Sequence, residues 1–408
     1  MRFKKLLSIS LLICVLAGVC SFSVSAATLD NGLMYVIENG EATISNYVGK
    51  ATEVIVPAEI DGCPVTAIGG SAFDGKDFIK KVVLPDTITV IGPNSFYYCK
   101  ELEEINIPNS VTYIADAAFW GCSSLKEITL PSSLQYIGSS FGECSSLEKI
   151  VIPDSVKSIN VSAFAHCTSL KEVTLSNSLK KLQTQLFEGC TSLESIVIPD
   201  SVTEIRPHAF GSCKNLKNIV FPKSLTTFSG FSNTVFEEFI VPDTVTSLTV
   251  NAFSNADIKK IVLPSSLTYI ERYTFSYSNV RELNLPDSIR IIDHYAFAET
   301  HHLRKIVLPK YIDRIEDYTF KNSGVRTITI PANVYYISKT AFDGCECLST
   351  IFFMGTPEQW ETMNPVIPDE TVVRFPNFES EPEEQPEVTL KVIMKAFYKS
   401  KLLPLWAF

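Results

Sequence analysis

The chain has 408 residues, 46% of them hydrophobic, and carries a formal net charge of −10 at pH 7. That acidity argues against general nucleic-acid binding, which needs a basic footprint, while the apolar content is enough for a continuous core. Ordinary globular domains would number roughly two or three at this length, but a repeat array reaches it as one body.

Residues 1–26 read as a secretory signal. Arg2, Lys4 and Lys5 form a positive end, Leu6 to Val19 an apolar stretch, and Val24-Ser25-Ala26 a small-residue cleavage pattern with a mature start near Ala27. An uncleaved anchor is the competing reading, opposed by the shortness of the apolar run. Cys20 would suit lipid attachment, yet Val19 before it is too large. No later stretch is long and apolar enough to cross a membrane, so the expected destination is outside the cell or on its surface. Residues 27–52 are expected to form an N-terminal hairpin cap: Met34-Tyr35-Val36-Ile37 and Glu41-Ala42-Thr43-Ile44 flank Glu38-Asn39-Gly40, and Asn-Gly is a strong hairpin signal.

From 53 to 353 one pattern returns about thirteen times. Its clearest copy is Leu125-Lys126-Glu127-Ile128-Thr129-Leu130-Pro131, with prolines at 57, 85, 108, 131, 153, 199, 222, 242, 264, 286, 309 and 331, and Ser176 standing where one is due. A phenylalanine keeps the same beat, at 73, 96, 119, 141, 164, 187, 210, 231, 253, 275, 297, 320 and 342. This period and the Leu-x-x-Ile-x-Leu core carry the leucine-rich-repeat signature. Ile128 and Leu130, two apart, share the inward face of a short strand, and Glu127 and Thr129 point outward. Pro131 lacks an N–H and ends the strand. Leu134 and Ile137 form a second apolar pair, and Phe141 fills the centre of the coil. No turn buries its own apolar face, so neighbours must stack. The expected fold is a solenoid whose short parallel strands build one long sheet, roughly 60 Å at about 4.8 Å per strand. Phe228, Phe231, Phe236 and Phe239 crowd Thr226–Phe239, where a local bend is expected.

The copies Ala118-Phe119-Trp120-Gly121-Cys122-Ser123-Ser124-Leu125 and Ile107-Pro108-Asn109-Ser110-Val111, with the closing Gly355-Thr356-Pro357-Glu358-Gln359-Trp360, resemble the BspA-like leucine-rich-repeat family over about residues 33–376. The resemblance implies a bacterial secreted or surface protein, some members being adhesins for host proteins or other microbes, and brings no catalytic residues.

Of 11 cysteines, two lie in the leader, leaving an odd number. Cys99, Cys122, Cys144, Cys167, Cys190, Cys213 and Cys345 each follow a repeat phenylalanine by three residues, and Ala256, Ser278, Thr300 and Ser323 take that place in later turns. Exchange with small residues points to a tight slot holding unreactive buried thiols. Disulfides between rungs satisfy distance but fit parallel side-chain vectors poorly. Zinc spacing is approached only at Cys345-x-Cys347, without histidine partners. His166, His208, His294, His301 and His302 sit in no metal motif, and Asp293-His294 lacks a nucleophile motif. There is no phosphate loop or dinucleotide fingerprint. The reading is a non-enzyme without cofactor.

The outward face carries the functional signal. The second motif position runs Lys80, Glu103, Lys126, Glu148, Lys171, Glu194, Lys217, Glu237 and Lys259, alternating in sign. The alternation steadies the ladder. It then stops, at Arg281, Arg304 and Arg326, with Lys260 and Lys305 alongside and Glu282 the one acid there. Lys259, Lys260, Arg281, Arg304, Lys305 and Arg326 form a candidate basic patch for a sulfated glycan or an acidic protein loop, unless Asp287, Asp293 or Glu299 neutralise it. The fifth position supplies a candidate apolar stripe, Val151, Val197, Val220, Ile240, Val262 and Val307, for which strand propensity alone is the favoured explanation. The partner would be an extracellular protein or glycan, bound by adhesion through the solenoid face. The alternative is a structural surface-layer or spacer protein. Residues 354–378 should form a closing cap, 379–387 an acidic proline-containing linker, and 388–408 a tail of unassigned role.

Overall fold

The computed structural model describes residues 25–376. The expected leader lies outside them except for Ser25 and Ala26, and the acidic linker and tail lie outside them entirely. The chain begins with β1 (Ser25–Thr28), β2 (Leu33–Glu38) and β3 (Glu41–Tyr47), all antiparallel neighbours. The β2–β3 turn has Asn39 at φ 54° and Gly40 at φ 78°, the pair of positive angles that an Asn-Gly hairpin requires. Tyr47 closes the coil, its ring 5.6 Å from Phe73.

Beyond this cap the chain winds into stacked turns held by hydrogen bonds on three walls. The first wall is the expected motif ladder; Lys149–Val151, for example, pairs in parallel with Glu172–Thr174. The second was read in the sequence only as an apolar pair. It is a ladder of very short parallel strands, in which Tyr136–Ile137 pairs with Tyr113–Ile114 on one side and Ser158–Ile159 on the other. β3 joins this second ladder, through Cys63–Ile68, so the hairpin caps that wall and not the motif wall. The third wall is made of turns: the N–H of Phe141 donates to the Ala163 carbonyl at 2.8 Å, and that of Glu143 to Ala165 at 2.8 Å. The strands therefore form two ladders, each broken into shorter sheets, because corners at proline and around phenylalanine leave each strand few residues to pair.

Leu125, Ile128, Leu130, Leu134, Ile137, Phe141 and Cys144 are all buried, so one turn supplies seven core side chains. The phenylalanines stack along the axis. Phe119–Phe141 and Phe141–Phe164 have centroids 5.2 and 5.4 Å apart and nearly parallel planes. The stack is interrupted where the sequence predicted irregularity. Phe239 sits 5.0 Å from Phe231 and 5.1 Å from Phe253, edge-on to the latter. Two strands of six residues, Val235–Ile240 and Asp257–Val262, pair across this point.

The residue two after each repeat phenylalanine, and the residue two before all but Phe141, Phe231 and Phe342, falls in the left-handed region, including Tyr98 (φ 50°), Glu143 (φ 59°) and His166 (φ 60°). Such angles cost a non-glycine residue on the order of 1 kcal/mol and persist because neighbouring turns over-determine them. At the far end, α1 (Pro357–Met363) starts at Thr356, whose side chain accepts from the Gln359 N–H while the Gln359 side chain accepts from the Thr356 N–H. It buries Trp360 against Phe353, with centroids at 5.3 Å. Val372–Arg374 then adds a last parallel strand to Thr350–Phe353.

Candidate binding face

On the motif wall six of the nine alternating charges meet as ion pairs, while Lys126, Glu194 and Lys217 make none among the described residues. Lys80–Glu103 (3.6 Å), Lys171–Glu148 (3.3 Å) and Lys259–Glu237 (2.7 Å) join adjacent turns in the second-position column. A parallel column one residue on repeats the device at Lys81–Glu104, Lys149–Glu172 and Lys260–Glu238. These hydrogen bonds raise the pKa of Lys81, Lys149 and Lys260 and, with the lysine charge, lower that of Glu172.

All six candidate cations lie exposed on this wall, but they divide into two groups. Lys259 and Lys260 are taken by Glu237 and Glu238. Arg304 donates through Nη1 to the Gly324 carbonyl at 3.0 Å. The side chains of Arg281, Lys305 and Arg326 make no hydrogen bond or ion pair among the described residues. The three acids that might have neutralised them are turned elsewhere. Asp293 accepts from Tyr269 (3.1 Å) and from the His294 ring. Glu299 accepts from Asn322 (2.7 Å) and faces His301 (3.4 Å). Asp287 accepts from the Lys310 N–H (2.9 Å).

The stripe residues Val151, Val197, Val220, Ile240, Val262 and Val307 are all exposed, between 38% for Val262 and 63% for Val197 and Ile240. Val197 pairs with Val220 and Ile240 with Val262, giving apolar side chains on four successive turns. The last of these shares its strand with Lys259 and Lys260. Apolar and cationic columns thus lie side by side on one wall and overlap at this strand.

The ladder thiols face the opposite way. Cys99, Cys122, Cys144, Cys167, Cys190, Cys213 and Cys345 are buried and unbridged. Each donates to the carbonyl of the phenylalanine one turn earlier, from Cys345 to Phe320 at 2.8 Å to Cys122 to Phe96 at 3.2 Å. Burial pushes the Cys99, Cys144 and Cys213 thiols up to about 12. Thr234 and Thr300 occupy the same slot and donate instead to the phenylalanine of their own turn, at 2.6 and 2.7 Å.

The histidines are scattered. His294 Nδ1 lies 2.5 Å from Asp293, and Nε2 is 4.0 and 3.9 Å from Glu316 and Asp317. His208 meets Ser232 at 2.6 Å. Among the described residues no group of three or more His, Cys, Asp or Glu side chains is placed to hold a metal, and no helix is long and apolar enough to cross a membrane. The sequence reading missed two other surface features. Tyr273, Tyr295 and Tyr318 stack at 4.9 and 4.8 Å, and Arg290 lies 4.4 Å over Tyr311. The tyrosines fall two residues before consecutive repeat phenylalanines, a phase that reading did not follow.

The arrangement of walls, slot and cap has counterparts. The model of the BspA type leucine rich repeat region matches residues 49–141, 139–256 and 229–349, in six copies. A leucine-rich repeat protein from Bacteroides ovatus is 28% identical with TM-score 0.64, over 88% of this chain and 100% of that one. A leucine rich cell surface protein from Faecalibacterium prausnitzii is 26% identical with TM-score 0.60, over 84% and 98%. The pneumococcal vaccine antigen PcpA, at 18% identity and TM-score 0.58 over 91% and 96%, shares the fold alone. The chain has no match among curated proteins. With its motif, phenylalanine stack and repeat register all falling within the matched spans, the chain belongs to the BspA-type leucine-rich-repeat family.

Proposed function

We propose that this protein is a secreted or cell-surface recognition module, without catalysis, that adheres to an extracellular protein or glycan through its motif wall. One observation carries the reading: the alternation of sign along this wall ends where Arg281, Arg304 and Arg326 follow one another, with Arg281, Lys305 and Arg326 unpaired among the described residues, beside an exposed apolar column. Like charges on adjacent strands oppose folding, so their retention without partners favours an external anion. Guanidinium groups suit sulfate or carboxylate through paired N–H donors. An extended partner running along the axis would meet both columns. The cell-surface relative from Faecalibacterium prausnitzii supports the location.

Purified full-length protein is tested against a panel of matrix proteins and sulfated glycans at low and high salt. Binding that weakens with salt, and that is lost in the Arg281→Glu, Arg304→Glu, Arg326→Glu triple variant with an unchanged circular dichroism spectrum, is the expected result. Unaltered affinity in that variant moves the site off this wall. A second reading, a surface-layer or spacer protein, is favoured by the end of the ladder at Val372–Arg374, the last strand of its sheet among the described residues, since sheet ends are where chains add to one another. Ordered self-association without any panel ligand would select it.

A further inference from the structure

On the third wall the side chains two residues after each phenylalanine form a column, and in several turns they satisfy one another. Asn233 Nδ2 donates to Ser212 Oγ at 2.8 Å, and Asn322 Nδ2 to Glu299 Oε1 at 2.7 Å. Glycine interrupts the column at Gly75, Gly189 and Gly344, and again at Gly121. The Gly121 α-carbon lies beneath the Tyr98 ring, so close that an added Cβ would come 2.7 Å from the ring. The Tyr98 hydroxyl passes over this turn to donate to Glu143 Oε2, two turns away, at 2.9 Å. Beside that ring lies an open cavity of about 250 Å³, lined also by Gly121, Ser123 and Ser145.

Three polar heads line the cavity without satisfying one another. The Lys100 ammonium makes no ion pair and stands 5.7 Å from the Tyr98 ring centre. Glu143 uses one carboxylate oxygen for Tyr98 and leaves the other without a partner. The exposed His166 side chain makes no hydrogen bond among the described residues. On the motif wall a lysine and a glutamate one turn apart find each other, as Lys171 and Glu148 do. Lys100 and Glu143 sit two turns apart, about 10 Å by strand spacing, and no ion pair joins them.

We propose that this cavity binds one acidic pyranose residue, a hexuronic-acid type of sugar. Its carboxylate meets Lys100. Its ring hydroxyls donate to the free Glu143 oxygen and engage His166, and its C–H face lies against Tyr98. The size agrees: at ~30 Å³ per water the cavity holds about eight water volumes, the scale of one sugar ring and too little for a drug-sized ligand. A charge-assisted contact at each end fixes the orientation. The site is on a different wall from the basic strip, so either can fail without the other.

The test is NMR of the full chain labelled at histidine, with the His166 signal assigned through His166→Gln. Glucuronate, glucose and glycine are the probes. Glucuronate should shift the His166 signal and leave those of His208, His294, His301 and His302 in place. Lys100→Ala and Glu143→Gln should each weaken the response about tenfold, the loss of one such contact. Both lie outside the core, and the unshifted histidine signals report the intact fold. No His166 shift at millimolar glucuronate overturns the proposal. So does an equal response to glycine, which would mark a site for a small zwitterion, or a glucuronate response untouched by both substitutions.

Discussion

Cys144 shows what the repeat demands of one residue. Its thiol is fully buried and donates to the Phe119 carbonyl at 3.2 Å, so the slot accepts only a small side chain. Alanine, serine and threonine meet that condition in other turns, which made the slot legible from sequence. The choice of carbonyl was not legible, because it depends on where the preceding turn sits. Burial holds the Cys144 thiol near about 12 against an ordinary value of 9.0. The folded state therefore keeps protons that the unfolded chain gives up above about pH 9, and stability must fall as pH rises from there toward 12. Alkaline denaturation should begin in that window and be relieved in a chain whose ladder cysteines are replaced by serine. A thiol reagent at neutral pH should label Cys347 and Cys63, the exposed and half-exposed thiols, and reach the seven ladder thiols only on unfolding. Rapid labelling of all of them in the native chain would refute the packing.

At the scale of the turn, the phenylalanine is the element around which three walls close. Phe141 touches Phe119 on one side and Phe164 on the other, and removing its ring leaves a void that rigid ladders cannot collapse to fill. Phe141→Ala should cost about 3–5 kcal/mol, measured by urea denaturation; Phe141→Leu, which keeps most of the volume, should cost well under half of that. The closing helix is a second such element. Thr356→Ala removes one half of its reciprocal cap and should cost about 1 kcal/mol. That loss should appear as faster amide exchange in 350–374, with Lys149–Val151 unchanged, since each turn contacts only its neighbours. Uniform acceleration along the chain would show that the turns unfold as one body.

Across the whole molecule the walls separate tasks. The interior ladder of thiols and phenylalanines holds the coil, the motif wall presents charge and apolar columns, and the third wall holds the Gly121 cavity. An acidic protein with an unpaired basic strip repels most anions at a distance and still offers one place to an anion that reaches it. Its binding should therefore respond to salt far more than its stability does. Raising salt from the low to the high arm of the panel should weaken capture while leaving the denaturation midpoint nearly fixed. A midpoint that shifts as strongly as binding would assign the strip's electrostatics to the fold.

The sequence by itself determined the solenoid, its register and its N-terminal hairpin, because a two-residue alternation, a fixed proline and an in-phase phenylalanine leave only stacking as a way to bury the apolar face. It also placed the seven thiols in one column and the cations on one wall. Only the tertiary structure decided the rest. Ile137 turned out to lie in a second hydrogen-bonded ladder, with Leu134 just before it, since two-residue strands have no periodicity to read. Asp287, Asp293 and Glu299 turned out to face other partners, since corner geometry sets where a loop acid points. Gly121 came to line a cavity where Tyr98 and Glu143, 45 residues apart, meet across it, and chain separation hides such a meeting until the turns are stacked.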